Sequence, residues 1–402
     1  MSDYLPNEVL VDILVRVPVK SLLRFRCVSK QWNSLISSPA FINTHLNRAL
    51  FQQTNGDDKS NQDLLLFRYY YSIDYVMEDD HGMHISVNDK REERFSLHRD
   101  DESFPHNPYL KLDFPYRCGG WYKDYFQIVA SVNGIVCLVD QNRCILWNPS
   151  VSRVMELPFA FQYPDRSVMH RLGFGCDRIT NDYKLVRLVY FGTRDHPVVP
   201  PVVEIFTLSI NSWRQIAASG PMYITVQHSS SSQAFASGAF HWIAHTPPEE
   251  GTFCNLILAF DIANEVFNEL PLPSCLAAKT DLNMTIAVLN GSLSLVPCNN
   301  GRVEDESYSD SVWIMEEYGM AESWTKLFSI DIEGQAIWRV LSFTKNGEVI
   351  VLNDSGKLVA YESSTQQTRD LEYNVGPRFS KQVYSLDTYM ESLVLLNVAD
   401  AL

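Results

Sequence analysis

Apolar positions open the chain at helical spacing. Leu5, Val9, Ile13, Leu14 and Val17 fall on one side of a 3.6-residue period, with Pro6 in the first turn, where its missing N–H is no loss. Pro18 ends that helix, and Val19, Leu22, Leu23 and Phe25 form the apolar face of a second. Ser29 is placed as N-cap of a third helix carrying Trp32, Leu35 and Ile36, and Ser38-Pro39 as the start of a fourth carrying Phe41, Ile42 and Leu46. Residues 1–50 therefore read as a small helical module. Four short helices bury little surface by themselves, so such a module is expected to lean on a partner or on the adjoining domain.

Residues 51–63 are polar and read as a linker, and from Leu64 the period changes. Short runs of Val, Ile, Leu, Phe and Tyr alternate with turn residues through residue 402, a strand texture. One hairpin form recurs, each copy marked by an aromatic residue: Trp147, Phe206, Phe260, Trp313 and Tyr361, separated by 59, 54, 53 and 48 residues. A second series, Asn133-Gly134, Ser237-Gly238, Asn290-Gly291 and Asn346-Gly347, precedes these markers, with Asp182-Tyr183-Lys184-Leu185-Val186 in the remaining gap. A period near 50 with about four strands per repeat is the signature of kelch-type blades, each of which buries its faces only by stacking on neighbours. The expected fold is thus a small all-α module followed by an all-β domain, a kelch-like β-propeller of about six blades. Leu64–Tyr71, Ile128–Ser131 and Leu393–Leu396 supply the remaining strands, the terminal ones closing the ring. A large β-sandwich is the competing architecture.

The run from Leu5 to Leu14 and from Val17 to Ile36 resembles the F-box, in its plant version. Ser131-Val132-Asn133-Gly134, Trp147-Asn148-Pro149-Ser150, Leu172 to Asp177, Asp182 to Val186, Val312 to Gly319 and Ser323 to Lys326 resemble the plant F-box-associated domain, found in kelch-like receptors of the CPR1 type and in S-locus F-box proteins. The glycine-doublet strand of true kelch repeats is missing. The resemblance implies that Leu5, Pro6, Ile13, Leu14, Leu22, Cys27, Val28, Ser29 and Trp32 form or directly support a surface for a Skp1-type adaptor, and through it a cullin. It further implies that the propeller holds a protein target for ubiquitination. Leu5, Pro6 and Leu22 are expected at the interface, and Phe25, Leu35 and Phe41 inside the F-box. Two rivals remain: an F-box adaptor acting outside ubiquitination, and a propeller enzyme acting on glycans.

Charge narrows the partners. The formal charge is −15. Within residues 1–50, six basic side chains stand against three acidic ones, so that part carries +3 and the remainder −18. Such a balance repels phosphate backbones and anionic lipid, and the apolar runs are too short to span a bilayer, so neither nucleic acid nor membrane is an expected partner. The reading places the protein in the cytoplasm, the nucleus or both. The eight cysteines include no C-x-x-C pair and read as small buried hydrophobes.

No motif points to catalysis, a cofactor or a metal. His241 and His245 have a spacing that holds zinc on a helix, but Phe240-His241-Trp242-Ile243 reads as strand. Gly173-Phe174-Gly175 lacks the third glycine and the helix of a phosphate loop. The acidic runs Glu78-Asp79-Asp80, Asp100-Asp101-Glu102 and Glu304-Asp305-Glu306 are candidates for recognising a basic target, and otherwise solvated loops. Recognition loops are expected at Tyr190–Val203, Gln227–Ser232 and Thr246–Thr252, since loops on a rigid scaffold carry binding.

Overall fold

The computed structural model describes residues 6–55, 64–78, 84–116, 126–140, 143–158, 160–163, 168–192, 197–217, 225–226, 233–246, 254–279, 283–298, 311–332, 335–374 and 384–396. Four helices come first: α1 (Asn7–Leu14), α2 (Val19–Phe25), α3 (Lys30–Ile36) and α4 (Pro39–Asn55). Pro6 and Pro18, both with φ near the value their rings impose, start α1 and α2. The Ser29 hydroxyl accepts from the Trp32 N–H at 3.1 Å, and the Ser38 hydroxyl from the Phe41 N–H at 3.2 Å, so both serines cap as their positions imply. Helix α4 runs to Asn55, into the segment read as linker, because Leu46 and Ala49 continue its buried face.

The strands are β1 (Leu64–Glu78), β2 (His84–Arg99) and β3 (Leu110–Leu112); β4 (Gln127–Val132), β5 (Ile135–Val139), β6 (Cys144–Asn148) and β7 (Arg153–Glu156); β8 (Val168–Asp177), β9 (Asp182–Gly192), β10 (Pro197–Thr207) and β11 (Ser212–Ile216). They continue as β12 (Thr225–Val226), β13 (Ala234–Ala236), β14 (Ala239–His245), β15 (Asn255–Asp261) and β16 (Val266–Pro271). After a one-turn helix at Ser274–Ala277 come β17 (Asn283–Leu289), β18 (Ser292–Cys298), β19 (Ser311–Met315) and β20 (Trp324–Ser329). The last are β21 (Ile337–Phe343), β22 (Glu348–Asn353), β23 (Lys357–Glu362), β24 (Gln367–Asn374) and β25 (Ser385–Tyr389). Six antiparallel sheets result, the blades of a six-bladed β-propeller. Four are consecutive meanders, a fifth carries both β12 and β13 on β14, and the sixth takes β25 beside β1 in the order β25-β1-β2-β3.

Every aromatic marker stands on the third strand of a blade, and Asn133-Gly134, Ser237-Gly238, Asn290-Gly291 and Asn346-Gly347 each turn into the second strand of theirs. The closing strand differs from the expectation. It is Ser385–Tyr389, whereas Leu393–Leu396 is a turn buried elsewhere, and Ile128–Ser131 is the first strand of the Trp147 blade.

The chain divides into two compact units. One holds the helices, the β25-β1-β2-β3 and β4–β7 blades and the residues after β25; the other holds the remaining four blades. In the first, Trp147 meets Phe95 edge-on at 5.3 Å between ring centroids within a core that includes Leu66, Val136 and Tyr389. Arg68 and Glu93 pair there, both side chains buried. In the second, Gly173 and Gly175 lie in β8 facing the rings of Phe235, Phe240 and Trp242, where an added Cβ would come within 2.7 Å of an aromatic carbon. The glycines read as a tight strand entry serve this close ring packing, and the Trp242 indole donates to the Leu172 carbonyl at 2.9 Å. Among the described residues no helix is long and apolar enough to cross a membrane.

Candidate docking site on the helical module

Helix α1 has two apolar stripes. Leu10, Val11 and Leu14 turn inward, and Val15 follows them into a core with Val19, Leu22, Ile36, Phe41 and Ile42. Pro6, Val9 and Ile13 stand on the other side at positions i, i+3 and i+7. Val9 is 43% and Ile13 47% exposed, and Pro6 is exposed too. A helix apolar on two sides has more greasy surface than its own core covers. Val28, 64% exposed, adds a further outward apolar side chain between α2 and α3, next to the exposed Cys27 and the capping Ser29. Trp32 is half-buried, its ring edge-on to Phe25 at 5.5 Å, and offers its remaining face outward.

The structure corrects one assignment. Leu22, expected at the interface, is fully buried, and Leu14 is 1% exposed; neither side chain reaches a partner from there, so both act from beneath by packing α1 against α2 and α4. Period alone cannot tell the inner stripe of so short a helix from the outer one. Leu5 lies outside the described residues. Val9 belongs to the outer stripe as well, and its spacing from Pro6 and Ile13 is the sequence signal for it. Phe41 is buried, and Phe25 and Leu35 are partly so.

Polar contacts hold the module's shape. Arg16 and Asp12 pair on the surface at 2.8 Å one turn apart, and Arg26 donates to the Asn33 side chain at 2.8 Å. His45 on α4 places Nε2 3.1 Å from the Val17 carbonyl, which makes Nε2 the protonated nitrogen; Nδ1 finds no partner among the described residues. Burial lowers the His45 pKa, keeping the ring neutral.

The other candidates do not gather into a site. His241 and His245 sit two positions apart on one face of β14; His241 is buried and bonded to Tyr318 Oη, 2.7 Å from its Nε2. Among the described residues no three His, Cys, Asp or Glu side chains are grouped to hold a metal. Asp101 caps the Ser103 N–H at 2.9 Å, and the hydrogen bonds from Ser103 hold its carboxyl below the ordinary range, so it is a turn residue. Tyr190 and Val203, read as loop, are strand residues buried in their blade. The acidic run at Glu304, the residues Asp79 and Asp80, and the loops at 227–232 and 247–252 lie outside the described residues.

A four-helix module with an outward apolar stripe, joined to six antiparallel blades, defines an F-box protein of the propeller type. The F-box domain model matches residues 3–44, and the F-box associated beta propeller domain matches residues 91–396; the chain belongs to this family. It is 29% identical to the F-box protein CPR1 of Arabidopsis thaliana, over 97% of this chain and 89% of that protein. An F-box/kelch-repeat protein of the same plant is 28% identical over 81% of this chain and 79% of its own length. A third Arabidopsis F-box protein is 25% identical over 96% and 91%.

Proposed function

We propose that this chain is the substrate-recognition subunit of an SCF-type ubiquitin ligase. Pro6, Val9, Ile13, Val28 and the outer face of Trp32 dock a Skp1-type adaptor and, through it, a cullin, while the propeller captures a protein target in the cytoplasm or nucleus. The observation that carries this reading is the second apolar stripe of α1. The helical core is complete without it, and a soluble surface keeps such a stripe for a partner. The chain itself needs no catalytic group in this role. Holding a target beside a ubiquitin-loaded enzyme raises its local concentration and makes transfer effectively intramolecular.

Co-purification tests it. The full chain expressed in plant cells is expected to bring down a Skp1-type adaptor and a cullin, and the Ile13→Asp variant neither. Adaptor without cullin would favour a role in assembly outside ubiquitination, and recovery of neither would end the receptor reading.

A further inference from the structure

The residues after β25 do work that no blade requires. From Tyr389 the chain continues as Met390–Leu396 along two turns of the β4–β7 blade, the one after β6 and the one between β4 and β5. Asn148 Nδ2, fully buried at the end of β6, donates to the Ser392 carbonyl at 3.1 Å, the Ser392 hydroxyl at 3.2 Å and the Val394 carbonyl at 2.8 Å. Its Oδ1 accepts from the Ser150 N–H at 3.0 Å and the Tyr389 hydroxyl at 3.0 Å. At the turn between β4 and β5, Gly134 has φ +80°, and a Cβ there would lie 2.4 Å from the Ser392 hydroxyl and 2.6 Å from the Met390 carbonyl. The left-handed turn already calls for glycine, and the segment passes through the space a Cβ there would fill.

The segment's other side faces the helices. Leu393 and Leu396 are 1% and 3% exposed, buried with Leu14, Leu22, Ile36 and Phe41, and Val151 from the turn after β6 joins them. Leu395 between them holds φ +68°, a left-handed conformation that costs a non-glycine residue about 1–2 kcal/mol. Such a conformation persists only where its surroundings over-determine it. The segment is thus hydrogen-bonded to the blade on one side and built into the F-box core on the other.

We propose that Met390–Leu396 is a clamp that fixes the F-box helices on the β4–β7 blade, so that the direction in which the adaptor stripe faces is set by this segment and not by the link at residues 56–63. The meaning of that direction for ubiquitin transfer rests on the receptor reading above; the clamp does not.

The test measures orientation in the full chain. A spin label on Cys27, which is exposed, and a second on Lys111→Cys in β3 report the distance from the helices to their own unit. The expected result is one narrow distance distribution in the parent. In Asn148→Ala, whose lost side-chain bonds go to Ser150, Tyr389, Ser392 and Val394, and in Leu393→Asp with Leu396→Asp, the distribution broadens at least twofold. Hydrogen exchange over residues 7–46 speeds up at least tenfold, while residues 168–374 exchange as before. Leu393→Met with Leu396→Met restores the narrow distribution. A broad distribution in the parent, or an unchanged narrow one in Asn148→Ala, overturns the clamp, and Asn148→Ala decides alone if the aspartates prevent folding. Adaptor binding by the parent, measured separately, judges the receptor reading independently of either result.

Discussion

His241 Nε2 and the Tyr318 hydroxyl lie 2.7 Å apart, joining the middle of β14 to the turn between β19 and β20. The other ring nitrogen of His241, Nδ1, sits 3.3 Å from the Ala234 carbonyl, so Nδ1 carries the proton and donates. Nε2 is then the acceptor and Tyr318 the donor. The arrangement suits a neutral imidazole, and burial pushes the His241 pKa down to about 4.

Stability should therefore fall with acid. The unfolded chain takes up protons on this histidine near its ordinary pKa of 6.5, whereas the folded chain resists until about 4. The contribution is present above pH 6.5 and is lost as pH falls through that window, and buried His98, also lowered to about 4, adds to it. Urea midpoints measured at intervals from pH 7.5 to 4.5 should show this slope, and His241→Gln should flatten part of it.

Tyr318→Phe removes the donor and leaves Nε2 buried without it. The expected loss is about 1–3 kcal/mol in the urea midpoint at neutral pH, with m unchanged.

Buried Leu22 and exposed Ile13 should separate stability from binding. Leu22→Ala is expected to destabilise the chain by about 2–5 kcal/mol. Ile13→Asp is expected to move stability by no more than about 0.5 kcal/mol, as surface changes do. It should nonetheless weaken binding of purified Skp1-type adaptor at least tenfold, as read by titration calorimetry.

Three substitutions compare glycines of the same left-handed φ. Gly238→Ala and Gly291→Ala meet open space, so each costs only the backbone strain of about 1–2 kcal/mol. Gly134→Ala must also displace Ser392 and Met390, and its melting point should fall further, by an overpacking cost of about 1–3 kcal/mol beyond the others.

Lys184 is buried between Asp177 at 3.1 Å and Glu265 at 3.3 Å, and also donates to the Ile262 carbonyl. Lys184→Met leaves buried Asp177 without its cation while Glu265 keeps Arg214, and a loss of about 3 kcal/mol is expected from chemical denaturation at neutral pH.

The blades were legible because each repeats one task. Trp147, Phe206, Phe260 and Tyr361 fill buried third-strand positions, and a repeated burial requirement leaves a repeated residue type; in the β17–β20 blade the buried residue at that place is Met315, opposite Trp324, and the half-buried Trp313 stands two residues before it. The helical starts were legible for a local reason, since Pro6, Pro18, Ser29 and Ser38 act on hydrogen bonds within one turn. What escaped depends on residues far apart in the chain. Leu393 and Leu396 have the composition of a strand, and only the distant Leu14, Leu22 and Val151 draw them into a helical core. Ser385–Tyr389, short and polar at Ser385, Asp387 and Thr388, becomes a strand because β1 offers it a free edge. Leu14 and Leu22 could not be told from Ile13 and Val28 by period, because helices of seven or eight residues leave little phase to read.

The pairing of β25 with β1, and the burial of Leu393 and Leu396 among α1 to α4, impose an order on synthesis. The helices leave the ribosome first, yet two of the side chains that seal them are made more than three hundred residues later. At roughly 5–20 residues per second that interval is on the order of tens of seconds. During that time the nascent helices expose Leu14 and Leu22 as well as the outer stripe, and they have most need of a chaperone or of the adaptor itself.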